Sequence, residues 1–212
     1  MFKDRRDSGV QLALSLKEYK DRKDVLVLAL PRGGVVTGYE IAHYLGVPLD
    51  IVIVRKIGFP GQSEFGIGAV SETGTVVLNE STISTYGVPK DYIEMEISKQ
   101  KEEISRRIKL YRKGKGLPDL REKTIILVDD GVATGATLKA AISALKEEKL
   151  ARLIVALPVA PREVAEEFKG MADEFICLET PADFMAVGSY YYDFTQVSDD
   201  EVVELLEKAK MP

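Results

Sequence analysis

The run Ile125-Ile126-Leu127-Val128 ends abruptly in Asp129 and Asp130, and this junction constrains the chain more than any other stretch. Consecutive large apolar residues without polar alternation predict a parallel strand buried on both faces. Ligands of open α/β sheets sit outside the carboxyl ends of such strands. A small, hydroxyl-rich loop follows, Gly131-Val132-Ala133-Thr134-Gly135-Ala136-Thr137, and helical spacing then runs from Leu138 to Leu145. The small residues let backbone N–H groups approach an anion, and Thr134 and Thr137 add hydroxyl donors. The helix start adds its positive dipole end. Carboxylates repel phosphate, so Asp129 and Asp130 must face sugar hydroxyls, a metal ion, or both. A phosphorylated sugar satisfies both halves of the turn. The plainer alternative is a strand-to-helix turn, capped by Asp130 or Thr134, that binds nothing.

A second candidate site follows the first apolar strand, Val25 to Leu30: Pro31-Arg32-Gly33-Gly34. Two glycines allow close approach to an anion, and the Arg32 fork suits phosphate oxygens. A third lies after the second strand, Leu49 to Val54. There Arg55-Lys56 opens a glycine-rich stretch with little periodicity, which predicts a mobile loop over about 55–79. Glu64 is a possible acid in that loop. The alternatives are a tight turn with an exposed Arg32 and a hairpin with solvated charges. Gly68 to Asn79 has the pattern of a short hairpin.

The segment from Ile125 to Thr137 closely resembles the diphosphate-sugar signature of the type I phosphoribosyltransferases. The resemblance implies that Asp129 and Asp130 hold the ribose 2- and 3-hydroxyls of phosphoribosyl diphosphate, with Ala133, Thr134, Gly135, Ala136 and Thr137 around its 5-phosphate. It implies that Arg32, Gly33 and Gly34 form the pyrophosphate loop, which in relatives often carries a cis non-proline peptide, here between Pro31 and Arg32. The stretch opened by Arg55-Lys56 resembles the R-K-x-G-x-x-P-G pattern of adenine-type members, which brings Arg55 and Lys56 to the pyrophosphate. Residues 180–194 loosely resemble the base-binding segment of hypoxanthine-type members, with a spacing longer by about two residues, which implies Phe184 stacked on a flat acceptor. The other reading of Phe184 and its neighbouring tyrosines is plain core. Mg²⁺ is the implied cofactor, held mainly through substrate and water with weak help from Asp129 and Asp130.

The likeness to hypoxanthine-type members breaks where those carry an acid, here Ala133, and a lysine, here Val159 and Ala160. Both departures argue against a 6-oxopurine. The implied activity is transfer of the 5-phosphoribosyl group to a nitrogen acceptor such as a nucleobase, with release of pyrophosphate. The alternatives are a non-catalytic sensor of the same donor that binds RNA or DNA, and an unrelated phosphate-binding protein. Val-Asp-Asp also ends the first strand of response-regulator receivers, but there it lies near the start of a domain.

Length and charge narrow the class. The chain has 212 residues, 45% hydrophobic and 30% charged, which predicts one domain over 1–212 with a full core. A net charge of −5 argues against a general nucleic-acid coat. No apolar run is long enough for a membrane span, and the charged N-terminus lacks a signal-peptide core, so a cytoplasmic protein is expected, acting as a homodimer. Cys177 is the only cysteine and is expected to be a buried small hydrophobe; His43 is expected on a helix with no chemical role. Helices are expected over 8–20, 35–45, 90–113, 162–168 and 199–210, and further strands over 152–157 and 173–178. The fold class is therefore α/β, a central parallel sheet flanked by helices on both faces, with a small hood from about 180–212. The basic end of the helix over 90–113, including Arg112, reads as a solvated face.

Overall fold

A computed structural model describes residues 1–210, apart from the side chains of Ser63 and Glu64. The loop-acid reading of Glu64 and the last two residues of the expected hood therefore lie outside the described part. The chain forms two compact units: residues 1–51, 117–134 and 148–212, and residues 52–116 and 135–147.

The first unit holds a five-stranded, all-parallel sheet. Its strands are β1 (Val25–Ala29), β2 (Leu49–Ile51), β6 (Thr124–Val128), β7 (Arg152–Val159) and β8 (Glu174–Glu179), in the order β2-β1-β6-β7-β8. Every residue of β1 and β6 is buried, as the uninterrupted apolar runs require. Helices α1 (Arg5–Ser15), α2 (Gly33–Leu45), α6 (Arg162–Lys169) and α7 (Asp199–Lys208) belong to the same unit. Helix α1 starts earlier than its apolar spacing suggests, because Asp4 caps it by accepting from Asp7 N. The chain leaves β1 toward β2 at one edge and returns at β6 on the other side of β1. That reversal makes the carboxyl ends of β1 and β6 the switch point of the sheet, the position at which open sheets bind ligands.

The second unit departs from expectation. The apolar run 49–54 does not form one strand: β2 stops at Ile51, and Val54 begins β3 (Val54–Phe59) of a different sheet. The stretch read as a loop forms β3, β4 (Gln62–Ser71) and β5 (Val76–Leu78), three antiparallel strands. Its aperiodicity reflects register shifts at Ile57/Gly58 and Gly58/Phe59, where the alternation slips. The hairpin read from Gly68 to Asn79 is present, with Gly68 opposite Leu78 and Val70 opposite Val76. Helices α3 (Glu80–Tyr86), α4 (Lys90–Arg112) and α5 (Ala136–Lys146) complete the unit. Ile57, Ile67, Val88 and Ile93 form its apolar centre. A buried ion pair joins Glu72 to Arg112, the last residue of α4. Glu72 also accepts from Ile53 N at 2.7 Å. Arg112 is thus no part of a solvated helix end, because its charge is needed under the sheet to match Glu72. Among the described residues no helix is long and apolar enough to cross a membrane.

Candidate active site

The loops after β1 and β6 interlock at this switch point. A side chain on Gly33 would meet Asp130 Oδ2 at 1.8 Å, and one on Gly34 would meet the Asp129 Cα at 2.9 Å. Glycine is therefore required by contact with the acids as well as by any bound anion. The peptide between Pro31 and Arg32 is cis. Arg32 stands immediately before α2, half-buried, with Nη1 3.9 Å from Asp199 Oδ1. That long, partly exposed pair leaves the guanidinium little held by protein.

The two acids differ sharply. Asp129 turns one oxygen back to accept from Asp130 N at 2.8 Å. Burial first, and the adjacent Asp130 carboxylate second, push its carboxyl well above the ordinary range. Asp130 is instead paired with a cation: Arg5 Nε donates to its Oδ2 at 2.6 Å. Tyr191 donates its hydroxyl to the Asp130 carbonyl at 2.6 Å. Arg5, Tyr191 and the neighbouring Phe194 were not singled out by the sequence reading. The Tyr190-Tyr191-Tyr192 run was visible, but nothing in it distinguished the buried Tyr191 from the exposed Tyr192. No pattern around Arg5 pointed to an acid so far along the chain.

Gly131 continues the loop at φ 143°, and a side chain there would strike Val187 Cγ1 at 2.6 Å. Val132 N donates to Val159 O at 3.1 Å, tying the loop to the end of β7. Ala133 is exposed, as is Thr134. At Gly135, with φ 73°, the chain enters α5, and Ala136 and Thr137 are its first two residues. First-turn amides of an α-helix lack intrahelical acceptors, and no acidic residue occupies this first turn. Helix starts with unoccupied first-turn amides are where anions commonly bind. Phe184 is half-buried rather than core, stacked on Tyr190 with centroids 5.6 Å apart and planes 13° apart.

In the second unit, Arg55 and Lys56 are consecutive in β3 and so leave opposite faces of the sheet. Arg55 Nε donates to Gln100 Oε1 at 3.0 Å, and Gln100 Nε2 donates to Glu96 at 2.6 Å. Burial, then the nearby Arg107 charge, lower the Arg55 pKa. Elsewhere His43 lies exposed on α2, its ring parallel to Tyr39 at 6.0 Å. Cys177 is half-buried and donates to Glu179 O at 3.3 Å, and burial pushes its thiol up to about 12.

Residues 10–195 match the model of the phosphoribosyl transferase domain. The chain belongs to the phosphoribosyl transferase family. It is 43% identical over 211 residues to a Mycobacterium tuberculosis protein named "Putative phosphoribosyl transferase Rv0571c", covering 99% of this chain and 47% of that one. The chain thus spans about half the length of the curated relatives it matches. The crystal structure of TT1426 from Thermus thermophilus is 41% identical and superposes with a TM-score of 0.82 over 98% of each chain. AQ2163 from Aquifex aeolicus, 11% identical, shares the fold alone, with a TM-score of 0.51 over 83% of this chain and 74% of that one.

Proposed function

We propose that the protein transfers the 5-phosphoribosyl group of phosphoribosyl diphosphate to a nitrogen acceptor, a nucleobase or similar heterocycle, and releases pyrophosphate. The observation that carries this reading is the interlock of the glycine loop after β1 with the acid pair after β6, at the switch point of the parallel sheet. In the reaction the bond between anomeric carbon 1 and the diphosphate oxygen breaks, and a carbon–nitrogen bond forms on the opposite face. The leaving group takes the bonding pair, and the acceptor nitrogen loses its proton to solvent or base. Positive charge develops on the ribose, and Asp129 and Asp130 are the groups that favour it. Arg32 stabilises the departing diphosphate, with Gly33 and Gly34 leaving room for it. Arg55 and Lys56 are assigned to the same diphosphate. Ala133, Thr134, Gly135, Ala136 and Thr137 receive the 5-phosphate, and Phe184 receives the acceptor ring.

The donor set fits Mg²⁺. The half-buried Asp129 carboxyl is raised by burial and by a like charge, which is the environment a cation would relieve. Among the described residues there is no cluster of three or more metal-ligating side chains. A cation here would be held by Asp129, Asp130, water and substrate oxygens, which is how Mg²⁺ usually binds. Its chemistry would be to offset the charge of the diphosphate. We place the activity in the cytoplasm, with a homodimer as the working assembly.

The test is a panel of nucleobases and related heterocycles, each given phosphoribosyl diphosphate and Mg²⁺, with pyrophosphate release monitored. Acceptor-dependent release is expected, with 6-oxopurines poor, and Asp129→Ala combined with Asp130→Ala should abolish it. Turnover surviving that double change would overturn the assignment. Tight binding of the donor without release on any acceptor would support the sensor reading instead.

A further inference from the structure

Asp130 is held at its carboxylate by Arg5 and at its backbone carbonyl by the Tyr191 hydroxyl. Arg5, on the first turn of α1, donates from Nε to Asp130 Oδ2 at 2.6 Å and from Nη1 to Thr195 O at 2.8 Å. Its guanidinium carbon lies 3.8 Å from the centroid of the Phe194 ring. The Arg5 side chain is only 10% exposed and that of Asp130 15%. The ring of Phe194 stacks on Tyr191 at 5.0 Å, and Tyr191 meets Phe2 in turn as a tilted pair with centroids 5.3 Å apart. Phe2 and Tyr191 also pair as a short parallel bridge, with Phe2 N donating to Tyr190 O at 2.8 Å and Tyr192 N to Phe2 O at 2.9 Å. On the remaining side, Gly33 leaves only enough room for the Asp130 oxygen itself.

This arrangement is built rather than incidental. An exposed ion pair has little reason to hold one geometry. Here a planar cation is fixed by a ring face, a backbone carbonyl and a carboxylate at once. Oδ2 is committed to Arg5, so the carboxylate plane is fixed and Oδ1 is the oxygen with a set direction. A carboxylate that must accept from a sugar hydroxyl gains from being oriented before the sugar arrives. It also gains from a counter-charge, because two adjacent acids otherwise repel each other.

We infer that Arg5 is the positioning residue of the sugar site: it fixes Asp130 for a ribose hydroxyl through a brace formed by Phe194, Tyr191 and Phe2. This rests on the proposed ribose role of Asp130. It adds that the extreme N-terminal helix controls affinity for the pentose without touching it, and that this control does not extend to phosphate groups.

Calorimetry of the full chain with two separate probes, ribose 5-phosphate and inorganic pyrophosphate, in Mg²⁺ buffer, tests it. Arg5→Met should weaken ribose 5-phosphate about tenfold or more, the usual weight of a hydrogen bond to a charged group. Pyrophosphate affinity should stay within about twofold, since general damage would weaken both probes. Arg5→Lys keeps the charge but loses the fork, and should recover part of the loss. In an Asp130→Asn background, Arg5→Met should add almost nothing, because the two residues act as one. Equal weakening of both probes, unchanged ribose 5-phosphate binding, or tighter binding in Arg5→Met would each overturn the role of Arg5. Wild-type protein that ignores ribose 5-phosphate would sink the sugar reading itself, and Arg5 with it. Wild-type binding that is lost in Asp130→Asn keeps the sugar reading whatever Arg5→Met does.

Discussion

The two units solve burial in different ways. In the first, β1 is apolar throughout and β6 from Ile125 to Val128, and the charged groups appear only where the strands stop. In the second, charge goes under the sheet: Glu72 and Arg112 form a buried pair, and Glu96 and Gln100 are buried on α4. The first arrangement draws its stability from area removed from water. The second depends on matched polar partners, each of which costs more when orphaned than it contributes when paired. The difference teaches where a single change will hurt most.

Arg112→Met should be the most damaging single change in the second unit, because Glu72 stays behind as a buried charge. Loss of about 3–5 kcal/mol is expected by denaturant unfolding. Adding Glu72→Gln should recover part of it, since the amide oxygen can still accept from Ile53 N while the charge is gone. If the double variant is no better than Arg112→Met alone, shape rather than charge holds this region. In the first unit, Leu127→Ala, at a fully buried position of β6, should cost roughly 2–5 kcal/mol through lost transfer energy and a cavity. A second change cannot offset that loss by removing a charge, so the two units separate on rescue rather than on size.

The same contrast decides what was legible in the sequence. Continuous apolar runs announced the parallel strands, and adjacent acids announced the loop after β6, because only a carboxyl-end turn has use for that combination. Gly33 and Gly34 stand out for a related reason: they open α2 shortly after β1. In the second unit the signals misled. Gly58 and its neighbours read as loop, yet they mark slips of register inside β3 and β4. Charged residues such as Arg112 are ordinarily solvated, so nothing local marked this one as buried. Arg5 and Tyr191 were silent for a different reason. Their partner is Asp130, far away in sequence, and only the folded sheet brings the chain ends to it. A contact of that kind has no periodicity to betray it.

The acids of the first unit sharpen the comparison at lower cost. The Asp129 carboxyl is raised in the folded chain, so above the ordinary carboxylate pKa the native state holds more proton than the unfolded one. Its stabilising influence is complete below that pKa and fades as pH rises through the folded value. Asp129→Asn keeps an oxygen for Asp130 N and removes the charge. Thermal unfolding at neutral pH should show a gain on the order of 1 kcal/mol without ligand, alongside loss of turnover. An unchanged melting temperature would mean that the site relaxes around the charge by itself.

Glu103 in the second unit titrates with the opposite sign, and its effect is the smallest. Hydrogen bonding to Arg106 first, and to Arg107 after burial is opposed, lowers its pKa to about 2 from 4.5. Its contribution is therefore present above about pH 4.5 and is lost as pH falls toward 2. The pair is partly solvated, with Glu103 28% exposed and Arg106 54%, so solvent screening keeps the effect under about 1 kcal/mol. Glu103→Gln should flatten the acid limb of stability without moving the plateau by more than that amount. Comparing acid titrations of Glu103→Gln and Asp129→Asn assigns each slope to its own unit. For Asp129 the stability contribution falls as pH rises, and for Glu103 it falls as pH drops, so slopes of the same sign would show that one of the two carboxyls is not in the environment described.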